Sequence, residues 1–321
     1  MLDVQNLTTY YIIRRGAVKA AENVSFKVQR AEAMGLAGES GCGKTTVALS
    51  LLRILPPNGK IMGGKIIFDG EDILSLSEKE MRERIRWKGI SLIFQGAMNA
   101  LNPVYKVGDQ IVEAIILHEP RVSPYEAKKR AEKLFELVGI EPSRIESYPH
   151  EMSGGMKQRA MIAMALACNP KLLIADEPGT ALDVIVQAQV LKLLKELKEK
   201  LGISIIMITH DLSMIAEICD SLAIMYAGNI VERGDVVSLF KRPLHPYTQG
   251  LIKAFPSLQS EKREMSSIPG SPPNLINPPR GCRFHPRCKF AMDICKRKTP
   301  KLKEVSKGHY VACFLVDGDI E

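Results

Sequence analysis

The chain has 321 residues, 45% of them hydrophobic and 25% charged, which is long enough for one large core with a smaller module and excludes the disordered and fibrous classes. Its formal charge of +8 resides in the tail, because residues 241–321 hold 15 Lys and Arg against 7 Asp and Glu; such a tail faces anionic lipid, nucleic acid or an anionic cofactor, or is a solvated surface. No run approaches the ~18–20 apolar residues of a spanning helix, and "MLDVQNLTTYY" lacks the basic-then-apolar layout of a secretory signal. The chain is therefore expected to stay in the cytoplasm, where its seven cysteines read as thiols or metal ligands rather than disulfides.

In chain order, the runs "VSFKV", "AMGLA", "KIIF", "ISLIF", "KLLIA", "ISIIMIT" and "SLAIMYAG" alternate with longer helical patterns. This predicts an α/β fold with a largely parallel or mixed sheet flanked by helices. Directly after "AMGLA" comes "GESGCGKT", Gly38 to Thr45, which fits G-x-x-x-x-G-K-[ST] between a strand and the helical "TVALSLLRIL". A chance glycine-rich turn matches this pattern in roughly 1% of chains this long, before the strand and helix context is counted. Backbone N–H groups of Gly38, Ser40, Gly41, Cys42 and Gly43 are expected to cradle phosphates, with Lys44 reaching the β and γ phosphates. The Thr45 hydroxyl is expected to bind Mg²⁺, with Thr46 beside it.

Further along, Ser123, Pro124 and Glu126 form a capping box with proline at the first helical position, and Ala127, Ala131, Leu134 and Val138 carry that helix to Gly139. "YPHEMSGGMKQR" sets Ser153, Gly154 and Gly155 before a helical run, where free N–H groups meet an anion. By itself Ser-Gly-Gly means only a loop. "KLLIADEP" places Asp176 and Glu177 at the exit of an apolar strand, the position of a carboxylate that orients Mg²⁺ and of a neighbour that activates water. Asp-Glu-Pro alone is an ordinary strand-end turn and gains its weight from the phosphate loop. Val186, Val190, Leu193, Leu197 and Leu201 mark an amphipathic helix. "IIMITHD" leaves His210 at a strand end, the plain alternative being a satisfied core histidine. From Pro256 to Pro279 the chain turns polar and proline-rich, as a linker or an extended wrapping segment does.

The ordered set resembles the ATP-binding cassette family of ATPases. It comprises Tyr11 as the adenine-stacking aromatic, with Tyr10 an equally good ring, then "GESGCGKT", Gln95 in "LIFQ", "MSGGMKQR", "LLIADEP", "ALD" at 181–183 and "THD" with His210. The resemblance covers residues 1 to about 240 and implies a P-loop ATPase core with a helical subdomain at about 96–165, followed by an extension at 241–321. It implies ATP and Mg²⁺ as cofactors, Gln95 as the sensor of metal and γ-phosphate, Glu177 as the residue that polarises the attacking water, and His210 as the holder of the γ-phosphate. Ser153 and Gly155 would act in trans on ATP held by a partner subunit, which Asp183 contacts across the dimer. Met156 stands where many members have Gln, and Gly179 where Thr is familiar; neither replaces a catalytic group.

"FKRPLHPYTQGLIKAFP" followed by "GCRFHPRC" looks like the extension of ATPase subunits from oligopeptide and dipeptide importers. That likeness implies transmembrane permease subunits, a second identical or homologous ATPase subunit and, indirectly, an extracytoplasmic substrate-binding protein. It also implies short peptides as cargo, a peripheral seat at the cytoplasmic face of the membrane and no nucleic acid. "LHPYT" is expected to serve packing. The rival is a soluble ATPase acting on nucleic acid or ribosomes, but the 57 residues between Gln95 and Ser153 suit a compact docking subdomain better than a long coiled-coil insertion.

Cys282, Cys288, Cys295 and Cys313 are spaced x5, x6 and x17, whereas Cys42, Cys168 and Cys219 are dispersed. Reduced thiols are one reading. Structural zinc pairs its ligands two to four residues apart and no C-x-x-C occurs here; iron–sulfur clusters also favour short spacings, so spacing weakens zinc more than it favours iron. A four-thiolate cluster is anionic, and Arg283, Arg287, Lys289, Lys296, Arg297 and Lys298 surround the ligands with cations. A structural [4Fe–4S] cluster is therefore expected ahead of zinc, with His285 or His309 as a substitute ligand, supplying folding free energy that a small tail lacks.

Overall fold

The computed structural model describes residues 1–96, 100–254 and 268–316. They fall into two compact units, Met1–Val28, Met34–Asp72 and Ile208–Glu321 in the first and Gln29–Ala33 and Ile73–Met207 in the second. The chain starts in the first unit with β1 (Leu2–Ile13), β2 (Gly16–Val28), β3 (Ala33–Ala37), α1 (Lys44–Leu52), β4 (Gly59–Phe68) and β5 (Glu71–Asp72). The second unit supplies α2 (Glu78–Glu80), β6 (Ile90–Ile93), α3 (Val107–His118), α4 (Pro124–Leu137), α5 (Gly154–Ala165), β7 (Leu172–Asp176), α6 (Val184–Leu201) and most of β8 (Ser204–Thr209). Back in the first unit follow α7 (Leu212–Ile218), β9 (Ser221–Tyr226), β10 (Asn229–Asp235), α8 (Val236–Lys241), α9 (Pro246–Lys253), α10 (Asp293–Arg297), β11 (Lys303–Ser306) and β12 (His309–Val311).

The first unit holds an antiparallel sheet ordered β2-β1-β4-β5 and a run of strands ordered β11-β12-β10-β9-β3. Within that run β3 pairs parallel with β9, from Met34↔Ser221 to Ala37↔Ile224. In the second unit β6 pairs parallel with β7, from Ile90↔Leu172 to Ile93↔Ala175. β3 and β7 are buried at every residue, which is why "AMGLA" and "LLIA" read as unbroken apolar runs: a parallel strand covered on both faces has no polar side to show. The α/β class is as expected. "VSFKV" and "KIIF", however, join a separate antiparallel sheet, because a short apolar run carries no mark of the sheet it enters.

Helix ends follow the local chemistry. The Ser123 hydroxyl accepts from Glu126 N at 3.3 Å, and the Glu126 carboxylate accepts from Ser123 N at 2.9 Å, the reciprocal pair that starts α4. Asp183 starts α6 by accepting from Val186 N at 2.9 Å, and Gly202 at φ 62° ends it, as an αL residue ends many helices. Val190, Leu193 and Leu197 of α6 are buried, while Leu201 at its end is exposed.

The described residues of the expected extension, 241–254 and 268–316, cluster with the first unit. Of the linker expected from Pro256 to Pro279, residues up to 267 lie outside the described residues. Farther on, Leu275 O accepts from Lys19 N at 2.9 Å, so this part wraps along β2. β12 pairs antiparallel with β10 through Glu232↔Val311 and Arg233↔Tyr310. The fully buried Glu232 carboxylate accepts from Leu244 N at 2.8 Å and His245 N at 2.9 Å, and meets His309 Nε2 at 2.8 Å. His309 is thus held in a strand by a carboxylate and is not a substitute ligand for a cysteine site, contrary to the expectation above. The tail also borrows a core: Tyr226 of β9 packs against Tyr247 and Phe284 at centroid distances of 4.7 and 5.1 Å.

"LHPYT" does pack. His245 caps α9, its Nδ1 accepting from Tyr247 N at 3.0 Å, and burial pushes the ring down to about 3. Its folded value lies below the unfolded ~6.5, so the unfolded chain takes up the proton first. The stability contribution is full above pH ~6.5 and is lost as pH falls toward ~3, by about 1.5 kcal/mol between pH 6.5 and 5. Melting temperature should therefore drop over that interval, and His245→Asn, which keeps a capping acceptor without a titrating ring, should flatten the drop. Equal slopes for the two proteins would show that another group governs it.

Candidate functional site

In the first unit the phosphate loop links β3 to α1. Gly38, Gly41 and Gly43 hold φ of 149°, 76° and 108°, conformations that side chains disfavour. A Cβ on Gly38 would lie 2.1 Å from Met225 O, and one on Gly43 1.9 Å from Ala20 O, so the loop runs in contact with neighbouring backbone. Lys44 is buried, and its ammonium donates to Gly38 O at 2.7 Å and Glu39 O at 3.1 Å. Ser40, Gly41 and Thr45 are exposed, whereas Cys42 and Thr46 are buried, and burial pushes the Cys42 thiol up.

The two candidate rings on β1 differ in their partners. Tyr10 donates to Glu22 at 2.5 Å, and burial together with that carboxylate pushes its hydroxyl up to about 12. The Tyr11 hydroxyl stands 3.1 Å from Thr46 Oγ1. Only Tyr11 is thereby tied to the helix that follows the phosphate loop. His210 stands exposed after the buried β8, and the next residue, Asp211, donates its N–H to Thr209 Oγ1 at 3.0 Å. A satisfied core histidine would have been enclosed.

In the second unit Asp176 ends β7 and is 2% exposed. Glu177 follows at φ 47°, the left-handed region, which costs a non-glycine residue about 1 kcal/mol or more and gathers at functional sites. Its Oε2 accepts from Gln95 Nε2 at 2.9 Å and Thr180 Oγ1 at 3.0 Å. The structure thus joins two residues that the sequence sets 82 positions apart. Gly179, one of the two departures, lies so that a Cβ would meet the Gln187 side chain at 2.8 Å; the flexible end of that side chain leaves room for adjustment. Ser153 caps α5 by accepting from Met156 N at 3.3 Å, and Ser153 and Gly154 are exposed, which leaves the helix N-terminus open. A Cβ on Gly155 would meet Val186 at 2.8 Å. Asp183 is exposed, and beside it Val184 and Ile185 are 80% and 72% exposed.

Cys282, Cys288, Cys295 and Cys313 line one cavity in the tail, together with His245, His285, Phe284 and Phe290. Burial pushes the thiols of Cys282 and Cys313 up to about 11 and that of Cys288 upward as well. The expected metal centre is nonetheless not assembled: among the described residues no group of three or more His, Cys, Asp or Glu stands in an arrangement that holds a metal ion. His285 turns its Nδ1 to Cys282 O at 2.9 Å. The expected halo of cations also needs correction. Arg283 pairs with Glu22 and donates to Ala227 O, Arg287 pairs with Glu39, and Lys296 meets Asp293 at 3.1 Å.

Sequence reasoning missed the link from Glu39 to Tyr247 and Arg287, which reach it across 208 and 248 positions. Glu39 occupies a variable position of the loop pattern, so no local signal marks it.

Comparison with known proteins places the chain in a family. The family described as ABC transporter matches residues 21–180, and the oligopeptide/dipeptide transporter C-terminal region matches 231–295. The oligopeptide transport ATP-binding protein OppD of Bacillus subtilis is 47% identical over 323 residues, covering 99% of this chain and 90% of that protein. OppD of Escherichia coli is 46% identical, with 98% and 93% covered, and the dipeptide transport ATP-binding protein DppD of Bacillus subtilis is 46% identical, with 99% and 95% covered. Among solved structures, the dimeric ATP-binding cassette MJ0796 bound to ADP and Pi aligns with a TM-score of 0.65 at 26% identity, over 74% of this chain and 99% of that one. CbiO1 from Clostridium perfringens aligns with a TM-score of 0.64 at 30% identity, over 75% and 90%. With the phosphate loop, the strand-end carboxylates and nearly full-length likeness together, the chain belongs to the ATP-binding cassette family, among the ATP-binding proteins of oligopeptide and dipeptide transport.

Proposed function

We propose that this chain is the ATP-hydrolysing subunit of an importer of short peptides, closing as a dimer on two ATP molecules and opening after hydrolysis. The observation that carries the reading is Glu177, held at a buried strand's exit in a strained conformation with the Gln95 amide and the Thr180 hydroxyl on its carboxylate. In this reading Glu177 accepts a proton from the attacking water, and Gln95 orients that carboxylate. His210 positions the γ-phosphate, Lys44 binds the β and γ phosphates, and Tyr11 stacks on adenine. Ser153 and Gly155, at the open start of α5, close over ATP held by the partner subunit, and Asp183 meets that subunit. Thr45, Gln95 and Asp176 offer oxygen donors, the class that Mg²⁺ takes; the ion, when bound, neutralises charge on the β and γ phosphates.

A cargo of short peptides is supported by the names of the relatives. Among the described residues no helix is long and apolar enough to cross a membrane, so the work is delivered to permease subunits, at the cytoplasmic face. Val104, Tyr105, Leu117 and Tyr125 of the second unit are each more than half exposed and offer apolar surface for such docking. Co-purification with permease subunits from solubilised membranes and ATPase stimulation by peptide on reconstitution are the expected results. A chain that answers DNA or ribosomes and no membrane protein would overturn the reading.

For the cysteine cavity the support is chemical: four thiols on one cavity are a soft ligand set suited to iron–sulfur or zinc. We propose a structural [4Fe–4S] cluster as the group that Cys282, Cys288, Cys295 and Cys313 would hold, an arrangement the structure does not itself display. Anaerobic purification should give a brown protein absorbing near ~400 nm with about four irons per chain. A colourless protein with one zinc would remove the cluster, and a metal-free folded tail would remove both.

A further inference from the structure

Glu39 is the second residue of the phosphate loop and is itself held by the tail. Its backbone N–H donates to Tyr247 Oη at 2.9 Å. Its carboxylate accepts from both terminal nitrogens of Arg287, at 2.6 and 2.9 Å. Arg287 is fixed in turn: its Nε donates to Pro269 O at 2.8 Å, the Tyr226 ring lies 5.7 Å from the guanidinium, and its side chain is 5% exposed. Tyr247 is fully buried. A planar guanidinium held on its own carbonyl and ring presents a fork of fixed direction, and a two-pronged pair with a carboxylate sets orientation as well as charge.

This arrangement answers an electrostatic difficulty. A loop that receives a triphosphate carries a carboxylate of its own, and an uncompensated anion there repels the ligand, the more so in a partly buried site. We propose that Arg287 and Tyr247 are positioning residues of the nucleotide site: Arg287 neutralises and orients Glu39, Tyr247 holds the Glu39 backbone, and the affinity of the phosphate loop for ATP is thereby set by the C-terminal extension. The inference rests on the reading that this loop binds MgATP.

Removing the cation alone and removing both charges have different consequences. Arg287→Ala leaves Glu39 as a bare anion beside the triphosphate, whereas Arg287→Ala with Glu39→Gln loses the fixed orientation but not the charge balance. Calorimetric titration of the full chain with MgATP should show Arg287→Ala binding about tenfold more weakly than wild type, and the double variant recovering a large part of that loss. The loss should shrink as salt is raised. A purely structural arginine would leave the double variant no better than the single one, and that result overturns the inference. Glu39→Gln alone, which leaves the tail's residues unchanged and Arg287 as a spare cation, serves if Arg287→Ala does not fold; it should bind MgATP within about twofold of wild type or more tightly, and weakening as large as that expected for Arg287→Ala overturns the inference too. A wild-type chain that binds no MgATP would instead remove the nucleotide-site reading, a result that cannot be confused with absent rescue.

Discussion

Replacing Glu177 by Gln is expected to lower ATP turnover by ~10²- to 10⁴-fold, the range for loss of a general base, while MgATP binding persists. The reason lies in what the amide keeps and what it loses. An amide oxygen still accepts from the Gln95 amide and the Thr180 hydroxyl, which reach the carboxylate at 2.9 and 3.0 Å, so the strand-end turn at φ 47° retains its anchors. What disappears is the group that, in the proposed mechanism, takes the proton from water. Lys44→Ala has the opposite signature: its ammonium bridges the loop carbonyls of Gly38 and Glu39, and its loss removes the cation that a triphosphate meets, so binding itself fails. Single-turnover hydrolysis beside equilibrium MgATP binding, with the partner subunits present, separates the two. A Glu177→Gln chain that hydrolysed ATP at the normal rate would return Glu177 to the role of an ordinary turn residue.

What was legible in the sequence was what local rules write. The capping box at Ser123, the apolar strands that end at Ala37 and Asp176, and the order of loop, signature and carboxylates each depend on residues within a few positions of one another. What stayed hidden depends on partners far away in sequence. The antiparallel sheet around β1 draws on runs that look like any other short apolar run. The different partners of Tyr10 and Tyr11, Glu22 and Thr46, are indicated by no spacing. The cations of the tail misled for the same reason: Arg283 and Arg287 read as a screen for anionic ligands, yet a buried arginine needs a partner, and theirs are Glu22 and Glu39. His309 similarly read as a spare ligand because its owner, Glu232, lies 77 positions earlier.

Gly43→Ala is expected to be far more damaging than Gly41→Ala, another single-methyl change in the same phosphate loop, and the comparison makes it informative. The loop pattern fixes glycine at positions 38 and 43 and leaves position 41 free. The structure supplies the reason. A Cβ at 43 would lie 1.9 Å from Ala20 O, at φ 108°, and Ala20 is buried in β2, so neither the loop nor the strand yields without breaking the cradle. At position 41 φ is 76° and nothing lies within 4 Å of the added carbon, which leaves only the backbone cost of about 1–2 kcal/mol. For Gly43→Ala that cost is joined by displacement of the loop from β2, a total of about 3 kcal/mol or more, which is roughly a hundredfold or greater loss in MgATP affinity where it falls on the binding conformation. Thermal melts and MgATP titrations on the two variants should place Gly43→Ala well below Gly41→Ala in both. If the two melted and bound alike, the contact with Ala20 would not be what holds the loop in shape, and the glycine demanded by the pattern would need another cause.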